Sequence, residues 1–210
     1  MKISALIGTA AALVASTAMA ASNPALFTHK PAHLFVTGVP PGSKTLYDQN
    51  KDDAGQAVLS QSLDGSQAAD DFDVPKGHLW TIKEVDVTGI YFNGSGPADS
   101  ENVFFYKDNG GFPGDLLVAC PNQSGTGSGF GSFAIVLSKT CKAKLKGGKT
   151  YWVSVQANID FNGGAGEWGW ELTLDTHGNR AVWFGDGCPT GCQLDSDLMF
   201  ALKGRDRLRN

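Results

Sequence analysis

Short runs in which apolar and polar residues alternate, separated by glycine, proline, asparagine and aspartate, dominate this sequence. In the run from Tyr151 to Ile159, every odd-numbered residue is apolar. Such alternation is typical of a β-strand with one buried face, because successive side chains of a strand point to opposite sides. Beyond the N-terminal segment, no stretch keeps the 3.6-residue apolar period of an α-helix. The pattern therefore predicts an all-β protein.

The number and spacing of these runs predict a two-sheet antiparallel sandwich with jelly-roll-like topology. The longest run changes parity, since Ile82 is even-numbered while Val85 is odd-numbered. A β-bulge near Lys83 and Glu84 would bring both apolar residues to one face. The predicted strands are 45–48, 57–61, 70–74, 79–92, 102–107, 116–120, 130–137, 150–159, 168–174, 181–184 and 197–202.

The N-terminus has the features of a cleaved secretory signal peptide. Lys2 supplies a positive charge, an apolar stretch follows, and residues 18–20 read Ala-Met-Ala, which matches a cleavage site. A membrane anchor is the alternative, but the apolar core at 5–15 is shorter than the ~20 residues that a span needs. We therefore expect a secreted protein, extracellular or periplasmic, with no membrane span. The predicted divisions are a signal peptide at 1–20, a leader arm at 21–44, a sandwich domain at 45–204 and a polar tail at 205–210.

The cysteines fit an exported protein. All four follow the predicted cleavage site, and an oxidising compartment makes disulfides the default. Four cysteines allow three pairings. We favour Cys120 with Cys141 and Cys188 with Cys192, because each pair flanks a turn-rich segment. A cysteine-ligated metal site is the alternative, but the sequence lacks a second pair at metal-ligand spacing.

The charge balance bears on possible partners. The chain has 21 Asp+Glu against 17 Lys+Arg, a formal net charge of −4. This balance argues against a nucleic-acid partner, because nucleic-acid-binding domains normally carry a basic face. The sequence does not determine the oligomeric state.

No sequence pattern marks a catalytic centre. The G-x-S-x-G, H-E-x-x-H and Walker patterns are absent from the sequence. Glu167 and Glu171 would share the outward face of one strand, but four strand residues span ~13 Å. A retaining glycosidase needs carboxyl groups ~5 Å apart. We therefore interpret both as solvated charges and favour a non-catalytic protein, with a small loop-built hydrolase as an alternative.

A candidate ligand site lies on the polar face of the predicted strand 150–159. Trp152, Gln156 and Asn158 share this face, and Asp160 follows it. An exposed indole beside amides and a carboxylate suits stacking on a sugar ring with hydrogen bonds to its hydroxyl groups. The alternative is that a second layer, such as the 21–44 arm, covers Trp152.

A candidate metal site rests on acidic residues from two predicted strands. The first and last strands of a jelly roll can be neighbours, which would cluster the carboxylates and favour a bound cation with oxygen ligands. We therefore consider a structural Ca²⁺, although no cofactor is required, and the alternative is that the acids only solvate a strand entry. The residues are Asp70, Asp71, Asp73, Asp195 and Asp197.

Several segments in this order resemble β-sandwich modules of exported bacterial proteins, including those grouped as choice-of-anchor domains. The segments are 68–75 (AADDFDVP), 80–94, 103–114, 150–155 and 196–204 (SDLMFALKG). The resemblance covers roughly residues 45–204 and implies the fold and the compartment, without catalytic residues. A C-terminal sorting anchor is not expected.

Taken together, these features predict a secreted, non-catalytic binding module for a glycan or another cell-surface ligand. A structural component of a matrix or surface layer is the further alternative.

Overall fold

The computed structural model describes residues 26–29, 41–127 and 129–209. The residues so described form β-strands and no α-helix, so the predicted all-β class is confirmed. The strands are β1 (Leu26–Thr28), β2 (Lys44–Asp48), β3 (Asp53–Leu59), β4 (Gln67–Val74), β5 (His78–Val87), β6 (Gly89–Phe92), β7 (Ser100–Asp108), β8 (Pro113–Gln123), β9 (Gly125–Gly127), β10 (Phe133–Val136), β11 (Lys144–Lys146), β12 (Lys149–Asn158), β13 (Glu167–Thr173), β14 (Val182–Gly185), β15 (Cys188–Gln193), β16 (Asp197–Leu198) and β17 (Phe200–Leu208).

The strands form three antiparallel sheets. The first has the order β1-β3-β13-β16 with β6 beside β13, and the second has the order β2-β17-β5-β10-β9 with β11 beside β5. The third has the order β15-β14-β4-β12-β7-β8. Single residues, Thr88 and Met199, separate β5 from β6 and β16 from β17, so two chain segments run from one of the first two sheets into the other.

The third sheet packs face to face against the second. The Phe72 ring of β4 stacks on Trp80 of β5 and meets Phe200 of β17 edge-on, each with ring centroids 6.4 Å apart. One apolar core contains buried residues from all three sheets, which is consistent with a sandwich.

The tryptophans of β13 show that polar atoms in the core keep hydrogen-bond partners. Trp168 and Trp170 are fully buried, as their alternation predicted. Their indole Nε1 atoms donate to the carbonyl oxygens of Gly131 at 2.6 Å and Met199 at 2.8 Å, respectively. Burying a large aromatic side chain stabilises a fold by roughly 3 kcal/mol when its polar atom keeps a partner. Leu174, the last residue of the predicted strand 168–174, is exposed, since β13 ends at Thr173.

The predicted bulge in the long strand is confirmed. Where β5 pairs with β17, Lys203 lies opposite Glu84 and Gly204 lies opposite Ile82, so that Lys83 is the extra residue. The bulge restores the parity of the strand, and Ile82 and Val85 are both fully buried.

Both predicted disulfides are present. Cys120 is bonded to Cys141 and Cys188 to Cys192. The larger loop, with a sequence separation of 21, is expected to stabilise the fold by roughly 3 kcal/mol in the chain-entropy model. Among the residues that the structure describes, no helix is long and apolar enough to cross a membrane.

Two predicted boundaries need correction. The polar tail predicted at 205–210 is wrong for Arg205–Leu208, which continue β17 and pair with β5. Within the predicted leader arm, Leu26–Thr28 form β1 on the edge of the first sheet, and Lys44 begins β2. Backbone pairing, which side-chain polarity does not reveal, explains both differences. The predicted signal peptide at 1–20 lies outside the described residues, as do 21–25 and 30–40.

Candidate functional site

Trp152 does not offer an indole to a ligand. Its side chain is fully buried in a small apolar cluster with Ala69 and Val182, on the face of the third sheet opposite the main core. Its Nε1 donates to Asp108 Oδ1 at 2.9 Å. The expectation of an exposed sugar-stacking indole is therefore wrong, because neighbouring side chains of the same sheet face cover the ring. The partly buried members of the cover are Tyr106, Phe112 and Phe184.

The polar residues predicted beside Trp152 serve internal hydrogen bonds. Gln156 Nε2 donates to the Ser66 carbonyl oxygen at 2.7 Å. The Asn158 amide accepts from Ser62 Oγ at 2.6 Å and donates to Ser100 Oγ at 2.8 Å. Both residues are half-buried, whereas Asp160 is exposed. These bonds tie loops to β12, so the four predicted residues do not form one open binding face.

Three of the five predicted calcium ligands do come together. Asp70 Oδ2 accepts the backbone N–H of Leu198 at 2.7 Å, which places β4 against the chain end as predicted. Asp70, Asp71 and Asp197 are all buried. Asp73 instead accepts from Thr150 Oγ1 at 2.6 Å, and Asp195 is exposed beside Arg180. Among the described residues, the five acids do not bring three ligand atoms within 4.8 Å of one another, so the five-residue set does not form one metal site.

Raised pKa values and hydrogen bonds characterise the buried acid cluster, meaning Asp70, Asp71 and Asp197. Burial and the Asp197 charge raise the pKa of Asp70, and burial raises the pKa of Asp71 to about 6. Asp71 accepts from the Asn179 side-chain amide at 2.7 Å, and Asp197 Oδ2 from the His177 backbone N–H at 2.6 Å. A Ca²⁺ ion there stays a prediction.

A groove rich in lysine lies where β11 and β12 approach β7 and β8. It has a volume of about 620 Å³, and a second hollow of about 410 Å³ adjoins it at Lys149 and Thr150. We call this the lysine groove, and its lining residues are Lys107, Asp108, Leu117, Val118, Lys144, Leu145, Lys146, Lys149, Thr150 and Tyr151.

Most of the ammonium groups in the lysine groove have no acidic partner. Lys107 pairs with Asp115 at 2.9 Å, and both side chains are exposed. Among residues 26–29, 41–127 and 129–209, no carboxylate lies within salt-bridge distance of Lys144, Lys146 or Lys149. Three of the four lysines that line the groove therefore have no salt bridge to a described residue.

The same charge extends over the outer side of the second sheet. In the register of β11, β5 and β17, Lys144 and Arg205 flank Thr81, while Lys146 and Arg207 flank Leu79. Directly paired residues of antiparallel strands point to the same side. These cations therefore share one face, and we call it the basic face, with Lys83, Lys142, Lys144, Lys146, Arg205 and Arg207 as its members.

The electrostatic surroundings of Lys83 are consistent with this grouping. Desolvation and the nearby charges of Arg205 and Lys142 lower the pKa of Lys83. Lys142, Lys144 and Lys146 are exposed, whereas the intervening Ala143 and Leu145 are buried in the core. Sequence reasoning missed this face, although the alternation of lysine with apolar residues at 142–146 is a signal that could have found it.

The residues best placed to hold a metal lie in the first sheet. His29, Asp53 and Glu171 each bring one ligand atom to within 4.8 Å of the others. The interpretation of Glu171 as a solvated charge is wrong, since its side chain is fully buried. Glu167 accepts from Asn93 Nδ2 at 2.6 Å and is half-buried. Sequence reasoning gave no signal for this cluster, because it joins residues far apart in the chain.

Comparison with known proteins finds no matching family model and no matching curated protein. The resemblance to choice-of-anchor modules therefore stays a prediction.

Proposed function

We propose that the protein is an exported, non-catalytic binding module whose ligand is an acidic polysaccharide. The observation that carries this proposal is the lysine groove, where three lysines have no salt bridge to any residue that the structure describes. The basic face extends the same charge from the groove across the second sheet. The two disulfides support an oxidising compartment, and the signal-like N-terminus supports export.

The spacing of the cations suits a ligand with repeated negative charges. Lys144 and Lys146 are two residues apart on one strand, which corresponds to about 7 Å. Arg205 lies two strands away from Lys144, which corresponds to about 10 Å. An extended polyanion contacts several such cations at once, whereas a small anion contacts one or two. Multiple contacts raise affinity without requiring a deep pocket.

The chemistry of the groove favours an acidic glycan over single-stranded nucleic acid. Recognition of single strands relies on aromatic rings on which bases stack. The aromatic residue that lines the groove is Tyr151, which is 6% exposed. Its hydroxyl donates to the Lys146 carbonyl oxygen at 3.0 Å, which holds the ring in place.

The polar groups of the groove favour binding without turnover. Asp108 accepts hydrogen bonds from Trp152 Nε1 and from the backbone of Gly110 and Gly111. The hydroxyl of Thr150 donates to Asp73. These groups therefore have structural partners, and the lining contains no histidine to activate a nucleophile.

The test is a binding measurement on the mature protein with alginate, neutral dextran and single-stranded DNA as probes. We expect alginate to bind in low salt, dextran not to bind, and affinity for alginate to fall as salt is raised, because salt screens exposed charges. The triple substitution Lys144→Ala, Lys146→Ala and Lys149→Ala should weaken alginate binding roughly tenfold or more, equivalent to about 1.4 kcal/mol.

A matched control removes the same charge elsewhere. Lys44, Lys51 and Lys139 are exposed and do not line the groove, so their combined change to alanine should leave alginate affinity within about twofold. Equal losses of alginate affinity in the two triple variants would show that only net charge matters, and would contradict the groove as the binding site. Tighter binding of DNA than of alginate would contradict an acidic polysaccharide as the ligand. Release of reducing ends from alginate would show that the protein is a hydrolase and not a non-catalytic module.

A further inference from the structure

The edge of the first sheet brings three potential metal ligands together. His29 directly follows β1, and its backbone N–H donates to the Gly55 carbonyl oxygen at 3.0 Å. Asp53 begins β3, where its Oδ1 accepts the Gly55 N–H at 2.6 Å, which orients the carboxylate. Glu171 lies on β13, opposite Ala57 of β3. Three neighbouring strands of one sheet therefore fix the three side chains.

The geometry of the three side chains is compact. His29 Nε2 lies 2.5 Å from Glu171 Oε2. One ligand atom from each of the three residues lies within 4.8 Å of the others. A metal with ligands at about 2.0–2.2 Å holds its donor atoms roughly 3 Å apart, so small side-chain movements would accommodate an ion.

Glu171 supplies an independent sign that a positively charged group is needed here. Its side chain is fully buried, and in the described part of the chain its Oε1 has no hydrogen-bond partner. Leaving a buried acceptor unpaired is unfavourable, because the atom has lost its hydrogen bonds to water and has gained none in exchange. The neighbouring Asp53 carboxylate adds negative charge to the same small volume. A cation between the groups would satisfy both carboxylates.

We infer that His29, Asp53 and Glu171 form a binding site for a divalent first-row transition metal, with Zn²⁺ as the expected ion. One imidazole nitrogen and two carboxylate oxygens are a donor set that Zn²⁺ accepts, whereas Ca²⁺ and Mg²⁺ take oxygen ligands. Three protein ligands leave a fourth position for water. The metal joins β1 to β3 and β13, and none of its ligands lines the lysine groove.

A plain ion pair between His29 and Glu171 is the competing account, and it predicts different behaviour. An ion pair uses His29 Nε2 and Glu171 Oε2 and leaves Oε1 without a partner, so added metal has no effect. A metal site draws the same atoms to a common centre and also requires Asp53. Metal-dependent stability and a spectrum of the bound ion separate the two.

The experiment titrates chelator-treated mature protein with Co²⁺, followed by visible absorption, and with Zn²⁺, followed by calorimetry. We expect one equivalent of either ion, a Co²⁺ absorption band, and a higher Tm with Zn²⁺, because a ligand that binds the folded state stabilises it. His29→Ala should weaken Zn²⁺ binding at least a hundredfold and remove the Tm increase. Asp53→Asn should weaken binding at least tenfold.

His177→Ala is the matched control, because His177 also contacts an aspartate, Asp175 at 3.0 Å, but lies outside the cluster. Its Zn²⁺ affinity should stay within twofold of the parent protein. Circular dichroism tests whether each variant is folded. If His29→Ala is unfolded, His29→Gln provides a second variant. No binding by the parent protein, or equal binding by the folded His29 variant, overturns the metal site. Neither outcome depends on alginate binding.

Discussion

The basic face and the protein interior differ in the ionisable residues that they hold. The face presents lysine and arginine to solvent, whereas the interior holds a third of the acidic side chains, seven of 21. Lys203 is the cation buried with them among residues 41–127 and 129–209. A formal net charge of −4 therefore describes the composition and not the surface that a partner meets. The buried acids are Asp70, Asp71, Glu84, Asp86, Glu101, Glu171 and Asp197.

The difference arises because the interior neutralises acids in two ways. Lys203 Nζ lies 2.9 Å from Glu84 and 2.5 Å from Asp86, which forms a buried ion triad. At other sites burial raises the carboxyl pKa, to about 7 for Glu101 and to about 6 for Asp71. A carboxyl group that binds a proton adds no negative charge. Outside the interior, the groove lysines that have no salt bridge to a described residue add positive charge at the surface.

The largest expected effect comes from removing the buried cation. Lys203→Met should lower the free energy of unfolding by about 3–5 kcal/mol, because it leaves Glu84 and Asp86 without their cation in the interior. Lys149→Met, the same change at an exposed position, should alter it by less than about 0.5 kcal/mol. Urea unfolding of both variants measures the difference. Equal effects would show that the interior does not depend on the triad.

The second effect is a loss of stability with rising pH. Raised carboxyl pKa values mean that the folded state binds more protons than the unfolded state, so stability is fully present below pH 4 and declines as pH rises towards 7. For Glu101 the decline is about 3 kcal/mol. Glu101→Gln should flatten the slope between pH 5 and 8, because the amide does not titrate. The measurement is urea unfolding at several pH values.

Asp160→Asn is the control for the pH experiment, since Asp160 is exposed. Its pH dependence should match that of the parent protein. If Glu101→Gln leaves the slope of stability against pH unchanged, Glu101 does not cause the pH dependence. The buried acid cluster would then be the remaining explanation.

The smallest effect concerns charge and not stability. The protonated interior acids should give the native protein a higher isoelectric point than the same protein in urea, where the carboxyl groups regain ordinary pKa values. Burial raises the pKa of five carboxyl groups, namely Asp70, Asp71, Glu101, Glu171 and Asp197. Isoelectric focusing with and without urea measures the shift. Identical values would contradict the contrast between interior and surface.

Much of the fold could be predicted because strand periodicity is a local property. The parity change between Ile82 and Val85 predicted the bulge, and the turn-rich spacing of Cys188 and Cys192 predicted their disulfide. The candidate site was harder to predict from the sequence. Trp152 occurs on a polar face by alternation, yet side chains from β7 and β14 cover it. Alternation identifies a face, but it does not reveal what packs against that face.

The sequence by itself determined the all-β class, the disulfide pairs and most strand positions, because each depends on neighbouring residues and their spacing. Only the tertiary structure decided which charges are buried, since burial depends on contacts between distant segments. It placed Glu171 beside His29, 142 residues away, and Lys203 beside Glu84, 119 residues away. It also aligned Lys144 and Arg205 across β5. Strand pairing, which no local pattern encodes, creates both the basic face and the metal-ligand cluster.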